Sequence, residues 1–268
     1  MYMQGKVIGQ GRTAEVLEYG EGRILKLYRD DVPEEHVDLE YRISKWVYEQ
    51  GVATPQPHER VVVEGKQGIV YQQIAGPTLL QQMSRKPWLN FNGFKQMAGL
   101  HYSLHQLGGM GEAGAQKKRL EQHIIAAPML ETEEKTQILS RLARLPDGEK
   151  LCHGDFHPDN ILMDDKLWVI DWMTGVRGNP AADVARSVIM FSIGAMPPQA
   201  SVFAKGFLGF ARKRLTEQYV GRYRKLSGLT LADIEPWILP VAAARLVEGL
   251  PVPEKELLVR EIRRRLRA

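Results

Sequence analysis

His153-Gly154-Asp155-Phe156-His157-Pro158-Asp159-Asn160, followed after a short apolar run by Val169-Ile170-Asp171-Trp172, is the stretch that decides how this chain is read. Phosphoryl transfer asks for a carboxylate beside an acceptor hydroxyl and for oxygen ligands that hold a divalent cation against the phosphates. Asp155 and Asn160, five residues apart on one loop, can supply the carboxylate and an amide oxygen. Asp171, at the end of the next expected strand, adds an anionic oxygen. These are hard donors, suited to Mg²⁺ rather than Zn²⁺.

Upstream, Gly9-Gln10-Gly11-Arg12-Thr13-Ala14-Glu15-Val16 places glycines between two β-compatible runs, where backbone can come close to phosphates. Lys26 sits between Leu25 and Leu27 on an apolar strand, placed to bind phosphate oxygens once a carboxylate holds it. Glu40 is the chosen partner because it shares a helix face with Ile43 and Val47. Glu34, Glu35 and Asp38 compete for that role.

Around these residues the pattern is bipartite. Short runs at Lys6–Gly9, Ala14–Tyr19 and Arg23–Tyr28 are separated by glycine turns, and a helix is expected from Pro33 to about Gln50. Two further strands are expected at Arg60–Glu64 and Gly68–Ile74. Ala75-Gly76-Pro77 reads as a linker, dividing residues 1–75, expected to bind a nucleotide, from residues 76–268. Helices are expected over 78–85, 91–107, 115–127, 131–144, 180–195, 198–226, 230–249 and 254–267. Short apolar runs lie between 150 and 173. The expectation is an α+β fold: a small antiparallel sheet with one helix, a hinge, and a mostly helical lobe, with a ligand in the cleft between them.

The order Gly9, Gly11, Lys26, Glu40, Asp155, Asn160, Asp171 resembles the aminoglycoside phosphotransferase and choline-kinase-like family of the protein-kinase-like superfamily over about residues 5–190. The resemblance implies a protein-kinase-like two-lobed fold and a Mg²⁺-dependent small-molecule kinase using ATP or GTP. It implies Asp155 as catalytic base, Asn160 and Asp171 as Mg²⁺ ligands, and Lys26 with Glu40 as the phosphate-holding ion pair beneath Gly9 and Gly11. Asp183 matches an aspartate expected to brace the catalytic loop. Three positions depart from the protein-kinase pattern: Ala14 for a third glycine, Gly154 for the arginine of H-R-D, and Met173 for the glycine of D-F-G. The missing arginine and the short span from Asp171 to Asp183 speak against a phospho-regulated protein kinase.

Composition sets the outer limits. The chain has 268 residues, 44% hydrophobic and 25% charged, as expected for a globular protein with a sizeable core. Residues 201–268 carry 14 Lys/Arg against 7 Asp/Glu, a +7 tail, and read as a solvated basic face rather than a nucleic-acid dock. The single cysteine, Cys152, excludes an internal disulfide and suits the cytoplasm, and no apolar run reaches a membrane span of about 18 residues. His101 and His105 could share a metal at i, i+4, but no third ligand stands out and helix packing is expected. Core packing is likewise expected for Trp172, Tyr219, Tyr223 and Trp237. The acceptor is expected to be a small hydroxyl-bearing molecule. Asp233, Glu235 and Glu248 could make an acidic patch for a cationic one. The competing reading is a catalytically idle kinase-like binding or structural protein.

Overall fold

A computed structural model describes residues 5–85, 90–113, 115–193 and 202–267. Two compact units emerge, drawn from residues 1–85 with 158–175 and from residues 86–157 with 176–268.

The first unit is built on a five-stranded antiparallel sheet in the order β1-β2-β3-β5-β4. Its strands are β1 (Val7–Gln10), β2 (Ala14–Glu18), β3 (Arg23–Tyr28), β4 (Pro57–Val63) and β5 (Lys66–Gln72). Alternation along the strands sorts side chains to two faces. Ala14, Tyr28, Ile69 and Tyr71 pack with Val37 of helix α1 (Glu34–Glu49). Leu17, Leu25 and Val70 form a separate cluster. The β4–β5 turn falls on Glu64 and Gly65, both at positive φ (51° and 84°), as a two-residue hairpin turn requires. The strands start at Pro57 and Lys66, ahead of the expected Arg60 and Gly68, and stop at Val63 and Gln72, short of the expected Glu64 and Ile74.

Helix α1 buries Val37, Glu40, Ile43, Ser44 and Val47, a single stripe at helical spacing. A glutamate in that stripe must find donors. The short helix α2 (Leu79–Arg85) follows. Residues 158–175 join this unit as a 3-10 turn at Pro158–Asn160 and the hairpin β7 (Ile161–Met163) and β8 (Leu167–Val169). The hairpin is tied down by Val169 N–H to the Ala53 carbonyl at 2.8 Å and by the Thr54 hydroxyl to the Val169 carbonyl at 2.8 Å. Trp172 is buried and donates its indole N–H to Thr54 at 3.0 Å, the core role expected of it.

The second unit is helical: α3 (Asn90–Leu104), α4 (Gln116–Ala126), α5 (Thr132–Ala143), α6 (Pro180–Ser192), α7 (Val202–Ser227), α8 (Leu231–Ala244) and α9 (Val252–Leu266). Helix α3 packs on α7, and α6 on both α7 and α8. The expected helical residues 194–195 and 198–201 lie outside the described residues. Helix α8 is shorter than expected, its last turn tightening to a 3-10 turn at Arg245–Val247. The strand β6 (Lys150–Cys152) pairs with β9 (Val176–Gly178), which the apolar pattern did not announce because it holds one apolar residue. Among the described residues, no helix is long and apolar enough to cross a membrane.

Candidate functional site

In the first unit, strand register and helix phase bring three expected residues together. Lys26 lies opposite Val16 and Ile69 in the sheet. Its Nζ is 2.6 Å from Glu40 Oε1 and 2.9 Å from Asp171 Oδ1. Glu40 is the partner rather than its rivals: Asp38 and Glu34 bind Arg60 at 2.6 and 2.8 Å. The Glu40 carboxylate also accepts from Tyr28 at 2.7 Å and Tyr71 at 3.4 Å. Sequence reasoning missed both tyrosines, although Tyr28 lies two residues from Lys26 and so on the same side of β3.

The electrostatics follow from one ammonium between two carboxylates. Burial by itself would lower the Lys26 pKa, but the charges of Asp171 and Glu40 outweigh it and hold it well above the ordinary lysine range. Burial raises the Glu40 pKa even against the Lys26 charge, and Asp171 adds to the rise. The Asp171 side chain is 39% exposed against 1% for Glu40, so Asp171 is the carboxylate open to a ligand.

Asp171 has φ +67°, a left-handed conformation uncommon for a residue with a side chain. Such conformations cost on the order of 1–3 kcal/mol and gather at functional sites. The Ile170 N–H donates to the Asn160 carbonyl at 3.0 Å, and Ile161 pairs with Val169. Asn160 and Asp171 therefore flank the open end of the β7–β8 hairpin.

Gly9 lies in β1 opposite Val16, and the Gly11 N–H donates to the Ala14 carbonyl at 2.8 Å, closing the glycine turn. Ala14 is buried in the sheet–helix core with Tyr28, Val37, Ile69 and Tyr71. Its methyl is thus a packing group, which explains alanine at this position.

In the second unit, Asp155 is held from both sides. Arg186 Nη2 donates to its Oδ1 at 2.8 Å, and His157 Nε2 lies 3.4 Å from its Oδ2. Burial by itself would raise the Asp155 pKa. The His157 hydrogen bond and the Arg186 charge outweigh it, holding the carboxyl well below the usual range. Arg186 also binds Glu248 Oε1 at 2.6 Å. Sequence reasoning singled out neither Arg186 as a partner of Asp155 nor Glu248 as a partner of Arg186, because the contacts span 31 and 62 residues with no local periodic signal.

The loop carrying Asp155 is braced by Asp183. The carboxylate is buried and accepts from the His153 N–H at 2.6 Å and the Gly154 N–H at 2.9 Å. His101 and His105 place Nε2 atoms 3.0 and 3.3 Å from its Oδ2, while their Nδ1 atoms meet Tyr219 and Tyr223. A third group therefore does join the histidine pair, contrary to the sequence reading. The close His–Asp contacts are those of hydrogen bonds, and Tyr219 and Tyr223 are core residues that complete them. Burial, reinforced by His105, pushes His101 down to about 3, so it stays neutral and donates to the carboxylate. The Asp155 N–H donates to His153 Nδ1 at 3.2 Å. Gly154 has φ +76°, so the turn preceding Asp155 favours glycine where the protein-kinase pattern has arginine.

Residues 5–217 match the family model described as the phosphotransferase enzyme family. No curated protein matches the sequence. Among solved structures, an aminoglycoside-3'-phosphotransferase of type VIII superposes with TM-score 0.59 at 17% identity, covering 92% of this chain and 91% of that one. A ternary complex of streptomycin, ATP and APH(2")-IIa gives TM-score 0.56 at 16% identity, with coverage of 97% and 90%. The macrolide 2'-phosphotransferase MphH from Brachybacterium faecium gives 0.52 at 16% identity, with coverage of 96% and 90%. At these identities the likeness is one of fold, here the kinase-like fold.

Proposed function

The chain belongs to the phosphotransferase enzyme family, and from that premise we propose that it moves the γ-phosphoryl group of ATP to a hydroxyl of a small molecule. The observation that carries this reading is the Lys26–Glu40–Asp171 cluster: a half-buried, firmly charged ammonium beside a partly exposed carboxylate in a left-handed turn. An ordinary structural ion pair needs neither the second carboxylate nor that backbone.

In this reading Lys26 binds phosphate oxygens, with Glu40 fixing its direction and Tyr28 and Tyr71 fixing Glu40. Gly9 and Gly11 supply backbone that a phosphate can approach. Asn160 and Asp171, oxygen donors flanking one hairpin, are a set that fits Mg²⁺. The cation, when bound, neutralises charge on the transferring group. Asp155 aligns the acceptor hydroxyl and receives its proton. The acceptor oxygen bonds to the γ-phosphorus as the bond from that phosphorus to the bridging oxygen breaks, and the nucleoside diphosphate leaves with the electron pair. Because Arg186 and His157 keep Asp155 weakly basic, it accepts the proton late, after most of the bond change. Residues 1–75 would serve the nucleotide and 76–268 the acceptor and catalytic loop. A cytoplasmic setting suits the buried, unpaired thiol of Cys152.

The test is calorimetric titration of Mg-ATP into the full chain and into Asp171→Ala. The variant is expected to bind about tenfold or more weakly, since it removes a metal-facing carboxylate and half of the Lys26 clamp. Equal affinity in the two proteins would remove Asp171, and with it this reading, from nucleotide binding.

A further inference from the structure

Helix α6 meets the loop that carries Asp155 with three polar side chains on one face. Asp183, Arg186 and Ser187 fall at i, i+3 and i+4. Asp183 accepts from the N–H groups of His153 and Gly154, and the Ser187 hydroxyl donates to the Phe156 carbonyl at 2.7 Å. Both therefore hold loop backbone. Arg186 acts differently: its Nη2 donates to the Asp155 carboxylate itself at 2.8 Å. Of these three it is the one that orients the side chain assigned to the chemistry.

A single hydrogen bond leaves a guanidinium free to pivot about it. The second is supplied by Glu248, whose Oε1 accepts from Arg186 Nη1 at 2.6 Å. With each Nη committed to a different carboxylate, the plane of the fork is set. Burial alone would lower the Arg186 pKa; the Glu248 charge first, then that of Asp155, outweighs it and keeps the group firmly charged. Glu248 is itself anchored. It follows the 3-10 turn at Arg245–Val247, its N–H donates to the Arg245 carbonyl at 3.1 Å, and its Oε2 accepts from Arg245 Nε at 3.3 Å. Arg245 in turn lies 3.5 Å from Glu254 in the first turn of α9. Charge alternates along the series Glu254, Arg245, Glu248, Arg186, Asp155, so each of its arginines sits between two carboxylates.

We propose that Glu248 is a positioning residue for phosphoryl transfer: it fixes Arg186, and Arg186 then holds the Asp155 carboxylate in line with the acceptor hydroxyl; this rests on the phosphotransfer reading above. Removing Glu248 leaves the backbone contacts of Asp183 and Ser187 in place, so the loss falls on chemistry and not on the fold of the loop. Kinetics of the full chain test it with whichever aminoglycoside, amino alcohol, sugar or vitamin it phosphorylates. In Glu248→Ala, kcat per Mg-ATP site, with sites counted by calorimetry, should drop about 10- to 100-fold while KM for Mg-ATP stays unchanged. Glu248→Gln keeps an oxygen for Arg186 Nη1 and should recover most of that loss. Arg186→Lys keeps the charge but not the fork, and should show the same split as Glu248→Ala. In an Asp155→Ala background, Glu248→Ala should cost less than about twofold more, because a residue acting through Asp155 has nothing left to position. A lowered Tm with undiminished kcat per site, an equal loss in both backgrounds, or no recovery in Glu248→Gln overturns the proposal. If the parent chain transfers phosphate to no member of the panel, the phosphotransfer reading itself fails and takes this inference with it.

Discussion

Replacing Asp155 by alanine is expected to lower turnover by about 10²–10⁴-fold, the range for removing a positioned proton acceptor, while Mg-ATP affinity changes little. The structure says why the effect should fall on chemistry. The ion pairs of Lys26 with Glu40 and Asp171 join groups of one unit, and that of Asp155 with Arg186 joins groups of the other. The variant should also fold, because Arg186 keeps Glu248 at 2.6 Å as a partner. A decrease of less than about tenfold in kcat would contradict the assignment of Asp155. The sign of its pKa shift adds a second expectation. A carboxyl held well below its usual range is already ionised, so kcat should not fall on its account between about pH 8 and pH 5. A midpoint near pH 6 that moves when Arg186 is replaced would mean that this carboxyl titrates there, against the account.

Replacing Asp183 by alanine is expected to destabilise the fold by about 3–5 kcal/mol, the range for breaking a buried charged network by removing one partner. Its carboxylate accepts from His153, Gly154, His101 and His105, and all four donors would be left in a dry interior. In a chain of this size that corresponds to a drop in Tm of roughly 10 °C. Thermal and denaturant unfolding check it, and a loss below about 1 kcal/mol would show that the network is not what braces the loop. The same network sets an acid limit. His101 is pushed from 6.5 to about 3, so the unfolded chain binds a proton that the folded one refuses. That contribution is complete above pH 6.5 and is lost as pH falls toward 3, with unfolding favoured on the acid side.

The polar groups that chemistry demands in a fixed order were legible in the sequence. Lys26 could be placed because a charged residue between two leucines on a strand has few uses, and Glu40 because helical period put it on a buried stripe. The sheet followed from alternation and glycine turns. What escaped were contacts with no local period. Tyr28 and Tyr71 reach Glu40 across the sheet–helix interface, Arg186 reaches Asp155 from helix α6, and Glu248 meets that same arginine. Hydrophobic pattern carries no record of such pairings. Backbone conformation was equally hidden: the positive φ of Gly154 and Asp171 explains a glycine that the protein-kinase pattern leaves unexplained, and an aspartate whose strain no composition reveals. In the basic tail, Arg264 pairs with Glu261 at i, i+3, while the ion pairs of Arg263 with Glu134 and of Arg265 with Glu235 are further contacts that no local period announces.

The central claim, transfer of a γ-phosphoryl group to an acceptor hydroxyl, is tested most directly by ³¹P NMR of the full chain with ATP, Mg²⁺ and a panel of small hydroxylated acceptors: aminoglycosides, amino alcohols, sugars and vitamins. The account predicts a new phosphomonoester resonance that grows as the γ signal fades, and its absence with Asp155→Asn. Conversion of the γ signal to inorganic phosphate alone, no change in it, or an undiminished phosphomonoester signal in the variant would contradict the account.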